Sequence, residues 1–240
     1  MSAYPQFWFS CWWRVWLCRC GLVQLHPWGR SVAELTLDFD QPQRRGLVKA
    51  CSGVHRVVVR PCLGDDHRRL DCLRRENRAW LARWESTLPP NSAELLPNLR
   101  EYSQRQDYEM LERRSLNMLI EVNGEIAGAV SVGSVQHGAM SVGTLGYWIA
   151  EKWANRGVTT LAVAAVIDLA LTELQLHRIE VVVRPENKPS LLLCRKLRLH
   201  EEGLRQRYMH IAGAWCDHVA FVADQEMLAA RGYSYVEGIR

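Results

Sequence analysis

From residue 55 onward the chain switches between two hydrophobic periods, one of strands and one of helices. Residues 55–60 (HRVVVR) are a β-branched run ended by Pro61, which cannot continue a ladder, so a first strand is expected there. Asp65 and Asp66 then open a helix whose apolar positions Leu70, Leu73, Trp80, Leu81 and Trp84 share one face, with Pro89 and Pro90 ending it. Ser92 as an N-cap, with Glu94 in the first turn, predicts a second helix to about Gln106. Residues 117–122 and 125–135 read as strands joined at Asn123-Gly124, a dipeptide that accepts the two positive φ angles of a type I′ turn. A further strand is expected over residues 144–150.

Residues 158–174 (VTTLAVAAVIDLALTEL) are nearly all apolar until Asp168, which predicts a long helix packed against a sheet over most of its surface. Residues 178–183 (RIEVVV) carry too many consecutive β-branched positions for a half-exposed strand, so a central strand is expected, stopped by Pro185. A short helix over 189–199 and a hairpin of residues 204–211 and 215–223, turned at Ala212-Gly213, complete the pattern. The order is strand, two helices, three strands, helix, strand, helix, two strands. It predicts an α/β (α+β) layer rather than a bundle or a sandwich.

The first fifty residues obey neither period. Five of the ten tryptophans (Trp8, Trp12, Trp13, Trp16, Trp28) and three of the eight cysteines fall before residue 30. Residues 7–25 have the length of a membrane span, but Arg14 and Arg19 within it would each cost roughly 2.5–3.5 kcal/mol near a bilayer centre, so no span is expected. Residues 1–6 hold no Lys or Arg, as a secretory signal would require. Residues 1–53 are therefore expected to be a disordered or mis-started extension, with an interfacial tryptophan-rich anchor as the alternative. The folded domain is expected over 54–230 and a C-terminal tail over 231–240.

A formal net charge of +4 is too small for a nucleic-acid footprint. The eight cysteines form no CxxC pair and no paired metal-ligand spacing, so neither zinc nor a disulfide framework is indicated. Reduced thiols and a cytoplasmic protein are expected.

Candidate chemistry concentrates in residues 145–166 (LGYWIAEKWANRGVTTLAVAAV), where a strand passes through a short loop into the long helix. Such a junction turns unpaired backbone N–H groups outward with the positive end of the helix dipole behind them. That suits a pyrophosphate, and Gly157 lets the ligand approach without a Cβ in the way.

Residues 154–159 (ANRGVT) resemble the Gln/Arg-x-x-Gly-x-Gly/Ala turn of GNAT acetyltransferases, matching it strictly only at Gly157. Residues 176–221 are similar to RimJ-type ribosomal-protein alanine acetyltransferases over several motifs in order. These are Leu176-His177-Arg178-Ile179-Glu180, Arg184-Pro185-Glu186-Asn187, Glu202-Gly203, and a closing hairpin with Tyr208-Met209-His210-Ile211, Gly213, Trp215 and Asp217-His218. Residues 76–87 (ENRAWLARWEST) are also similar. The likeness covers about 175 residues and none of the first fifty.

The resemblance implies a GNAT fold: a mixed, mostly antiparallel sheet of six to seven strands, with helices on both faces and its fourth and fifth strands splayed. It implies an acetyl-CoA-dependent N-acetyltransferase with no metal. The backbone of Trp148, Ile149 and Ala150 would hold the pantetheine, and Asn155, Arg156, Gly157, Val158, Thr159 and Thr160 the pyrophosphate. Asn187 would reach the cofactor near the thioester. Glu180 is the candidate general base. Many relatives place an acidic tyrosine where this chain has Cys194, so Ser190 is the candidate general acid.

Trp80, Trp84 and Glu85 on one side and Tyr208 and His210 on the other would line the acceptor groove, joined by Trp215. His210 and His218 are read as hydrogen-bonded hairpin residues rather than bases. The acceptor the resemblance implies is the N-terminus of a protein, a ribosomal one in the family's pattern, met by a monomer or homodimer. A small amine such as an aminoglycoside or polyamine, or a non-catalytic acetyl-CoA-binding module, are the alternatives.

Overall fold

A computed structural model of the chain describes residues 26–94 and 96–239. The expectations placed on residues 1–25, including Trp8, Trp12, Trp13 and Trp16, lie outside the described residues. Among the described residues one sheet of eight strands runs in the order β1-β2-β3-β4-β5-β6-β8-β7. The strands are β1 (Leu37–Asp40), β2 (Arg56–Pro61), β3 (Leu116–Val122), β4 (Glu125–Gln136), β5 (Val142–Ile149), β6 (Arg178–Val183), β7 (His200–Ile211) and β8 (Ala214–Asp224). Every neighbouring pair is antiparallel except β5 and β6. A parallel pair needs a long crossover, and the apolar helix supplies it.

The helices are α1 (Asp66–Glu76), α2 (Arg78–Leu81), α3 (Leu99–Leu111), α4 (Val158–Thr172), α5 (Lys188–Lys196) and α6 (Gln225–Arg231). The run expected as one helix to Trp84 is broken at Asn77, whose φ of −98° and ψ of 16° leave the helical region. The second helix begins at Leu99 rather than after Ser92. Asn98 accepts from the Glu101 N–H while the Glu101 carboxylate reaches back to the Asn98 N–H, a reciprocal cap that Ser92 cannot match. The β3–β4 turn has positive φ at both Asn123 and Gly124, as its sequence requires.

Strand alternation sorts the sheet into two faces. Ile179, Val181 and Val183 of β6, with Phe221 and Ala223 of β8, join the main core with α4, of which residues 161–167 are all buried. Helices α1 to α3 cover the opposite face, where Cys62, Leu81, Met110 and Leu119 are buried apart from that core.

The boundary expected at residue 54 is too late. β1 pairs with β2, and Trp28, Leu35, Leu47 and Val48 are buried in the main core. The Trp28 indole donates to the Ser115 carbonyl at 2.8 Å. These apolar residues are too sparse for a period, yet each fills a site against the sheet. The C-terminal tail is likewise part of the domain. Tyr235 and Ile239 are core residues, and the Asp168 carboxylate accepts from the N–H groups of Tyr235 (2.7 Å) and Val236 (3.0 Å).

Deleting residues 26–53 is expected to abolish the cooperative thermal transition followed by circular dichroism. Leu35→Ala is expected to cost about 2–5 kcal/mol in urea unfolding, the range for a fully buried leucine.

Candidate functional site

β5 and β6 pair at only three positions, Val142 with Arg178, Gly143 with Ile179, and Thr144 with Glu180. Beyond Thr144, β5 remains laced to β4 as far as Ile149, and β6 to β8 as far as Val183, so the two strands part. Between them opens a cleft of about 1400 Å³ that continues to the loop before α4 and to the residues around α2.

At the loop end, Gly157 takes φ +90°, and Leu161 is the first residue of α4 to bond back, its N–H meeting the Gly157 carbonyl. The N–H groups of Val158, Thr159 and Thr160 thus have no partner within the helix. Asn155, Gly157, Thr159 and Thr160 line the cleft, as do Trp148 and Ile149 on β5. Lys49 lines it too, and its backbone N–H donates to the Arg156 carbonyl at 3.0 Å. A Cβ on Gly157 would sit 3.1 Å from the Val48 Cα, so the N-terminal segment as well as a ligand calls for glycine here.

Arg156 departs from expectation. Its guanidinium is turned back onto the carbonyls of Lys152 and Ser52 and over the Trp153 ring, away from the helix end. Neither Arg156, Val158 nor Ala150 is a cleft-lining residue. Val158 is buried in the core, and the Ala150 N–H is bonded to the Ala127 carbonyl.

In the middle of the cleft Asn187 caps α5, accepting from the Ser190 N–H at 3.3 Å. The Ser190 hydroxyl lies 2.5 Å from the Tyr147 hydroxyl. Burial, and after it the neighbouring Cys194, hold the Tyr147 phenol well above its ordinary pKa, and burial pushes the Cys194 thiol up to about 12. Both groups stay protonated at neutral pH, so a neutral hydroxyl pair faces the cleft. Tyr147 was not legible in the sequence: its partner stands 43 residues away, and β5 alternation marks it as a core residue.

Glu180, the candidate base, sits in an ion-pair cluster. It is absent from the cleft wall, and both carboxylate oxygens are taken, Oε1 by Arg178 at 2.9 Å and Oε2 by Arg205 at 2.8 Å. The carboxylate thus serves as the shared anion of two guanidinium groups, off the cleft.

At the far end, Trp80, Trp84 and Glu85 line the cleft opposite Met209, Ile211 and His218 of the hairpin. The Trp80 indole donates to the Ile149 carbonyl at 3.1 Å, Trp84 lies under Arg83, and Glu85 is bound by Arg74. His210 and Tyr208 both lie outside, His210 clamped to the hydroxyl and carbonyl of Thr87 and Tyr208 under Arg205. Trp215 is exposed and meets the His210 ring edge-on. Among the described residues no His, Cys, Asp or Glu group could hold a metal ion, and no helix is long and apolar enough to cross a membrane.

A sheet parted beside an open helix N-terminus defines a class of acyl-transfer fold, and comparison with known proteins agrees. The model of the acetyltransferase (GNAT) domain matches residues 56–200, and the chain belongs to that family. Over 120 residues it is 32% identical to Bacillus subtilis (strain 168) "Probable N-acetyltransferase YjcK", covering 50% of this chain and 65% of the relative. Over 95 residues it is 35% identical to the [ribosomal protein uS5]-alanine N-acetyltransferase of Escherichia coli (strain K12), covering 40% of this chain and 49% of that protein. The aligned stretches thus span about half to two thirds of these curated relatives. The structure of Mycobacterium smegmatis RimJ in complex with CoA-disulfide superposes with a TM-score of 0.70 at 29% identity, over 89% of this chain and 95% of that one.

Glu180→Gln is expected to leave two guanidinium groups short of an anion and to lower stability by about 1.5–3 kcal/mol, measured by urea denaturation.

Proposed function

We propose that this protein transfers the acetyl group of acetyl-CoA to an amine, and that the amine is the N-terminal α-amine of a protein, a ribosomal one by analogy with the relatives above. The observation that carries this reading is the parting of β5 and β6 directly beside the open N-terminus of α4.

The residues present fit the ligand. The unpaired N–H groups of Thr159 and Thr160, with the dipole of a 15-residue helix behind them and Lys49 in the cleft wall, suit a diphosphate. The exposed edge of β5 from residue 145 to 149 offers backbone groups to an extended, amide-bearing arm, as a sheet edge does to an added strand. Asn187 stands at the opposite wall. Bound acetyl-CoA would supply an acyl carbon open to attack by nitrogen. The contacts of Ser190 with Tyr147 and Asn187 support it as the donor that returns a proton to the departing sulfur.

An α-amine, with a pKa of about 7.7–8.0, is far more often neutral at pH 7 than a lysine near 10.4, so it asks little of the site's base. Trp80, Trp84, Met209 and Ile211 give the acceptor groove an apolar wall suited to a peptide chain. A polyamine or aminoglycoside would need unneutralised acids. The lining acids Asp71, Glu85 and Glu186 are held by Arg75, Arg74 and Arg184 respectively.

Comparing N-terminal acetylation across the proteome with and without the gene tests the acceptor: loss of acetylation on one or a few N-termini is the expected result. Gly157→Glu is expected to abolish acetyl-CoA binding in calorimetry, because it sets bulk and negative charge at the diphosphate turn. Unchanged affinity would refute the placement, and binding by the parent without turnover of any amine would favour a non-catalytic module.

A further inference from the structure

The cleft needs a base on its acceptor side, and Glu180 does not provide one. His218 lines that side and is 3% exposed. It stands on β8 opposite Arg205 of β7, one residue before Val219, which pairs with Val183 at the end of β6. Strand alternation sets Val219 and Phe221 toward α4 and His218 toward α2. Tyr147 and Ser190 belong to the opposite face, against the core with α5. The parted strands therefore leave an opening with a hydroxyl pair on one face and an imidazole on the other.

The tautomer of His218 follows from its hydrogen bond to the backbone. Nδ1 lies 3.0 Å from the Cys216 carbonyl oxygen, which can only accept, so Nδ1 carries the proton and Nε2 keeps its lone pair. The ring is held by its surroundings. A register shift in β7 between Arg205 and Met209, fixed by the Arg207 N–H on the Asp217 carboxylate at 2.7 Å, turns Tyr208 edge-on to the imidazole with centroids 5.7 Å apart.

We infer that His218 Nε2 is the general base that takes the proton from the acceptor amine. In the step, the nitrogen bonds to the acetyl carbon and the carbon–sulfur bond breaks. The amine proton passes to Nε2, and the sulfur is protonated at the Ser190–Tyr147 pair. That pair regains a proton from solvent as His218 releases one, so the cycle is neutral overall.

The charged and titratable groups facing the ring are Arg184 from the end of β6, Glu186 beyond it, Asp217 on β8, and Arg205 and Tyr208 on β7. Burial lowers the imidazole pKa below its ordinary value, and Arg184 adds to this against the opposing Cys216 carbonyl, Glu186 and Asp217. The ring is thus neutral and ready at pH 7, and once a neutral amine is bound, kcat falls as pH drops through the depressed value.

This inference rests on the acetyl-transfer reading, and its test separates the two. In ¹⁵N-histidine NMR of the intact protein, His218 should show the proton on Nδ1 and titrate below the ordinary imidazole value; a proton on Nε2 would overturn the assignment. His218→Asn preserves an N–H for the Cys216 carbonyl and has no basic nitrogen. It should bind acetyl-CoA as the parent does in calorimetry, yet lose about 10²-fold or more in kcat on a peptide with N-terminal alanine. The acid limb of the kcat profile should vanish with it. Parental kcat in the variant would overturn the role of His218 and leave the transfer reading standing, whereas a parent that fails to bind acetyl-CoA would bring down both.

Discussion

Everything about the site follows from a failure of hydrogen bonding. Two neighbouring strands that stay paired along their length would leave no room between them, and β5 and β6 separate after three residue pairs. Each diverging strand is held by its outer neighbour: β5 by β4, and β6 by β8. The end of β6 is drawn further aside where the Arg184 guanidinium donates to the Arg83 carbonyl at 3.1 Å. The inner edges are left with peptide groups that no strand satisfies. Buried backbone that lacks a partner is costly, so such an opening is tolerated only where water or a ligand can enter it.

The parting also distributes the chemistry. Because successive residues of a strand face opposite ways, one cleft reaches both faces of the sheet, and groups with opposite proton duties can be kept apart. Tyr147 and Ser190 sit with the apolar helices, where burial keeps the Tyr147 phenol protonated. Trp80, Trp84 and His218 belong to the other face. Glu180, beside the point of divergence, is closed on Arg178 and Arg205 and acts as a rivet between β6 and β7.

Much of this was written locally. The closing hairpin, the central strand and the long apolar helix announce themselves because their residues interact with near neighbours or with a uniform surface. The start of α3 is not marked by residue type alone, since Ser92 and Asn98 are both capping residues and only the return contact from Glu101 distinguishes them. The roles of Arg156, Glu180 and Tyr147 depend on partners far along the chain, and no period or motif encodes that distance. Lys49 and the core residues Trp28, Leu35 and Val48 were hidden for a different reason: isolated apolar residues in irregular backbone leave no rhythm to detect.

The crossing of residues 48 and 49 over the Arg156–Gly157 peptide ties two remote parts of the gene together. The same short stretch plugs the interior and walls the mouth of the cleft. An expressed protein that begins at residue 54, as its recognisable motifs would invite, loses a structural seam and a rim of the ligand's entrance in one cut. Poor yield and weak ligand uptake would then share a single origin.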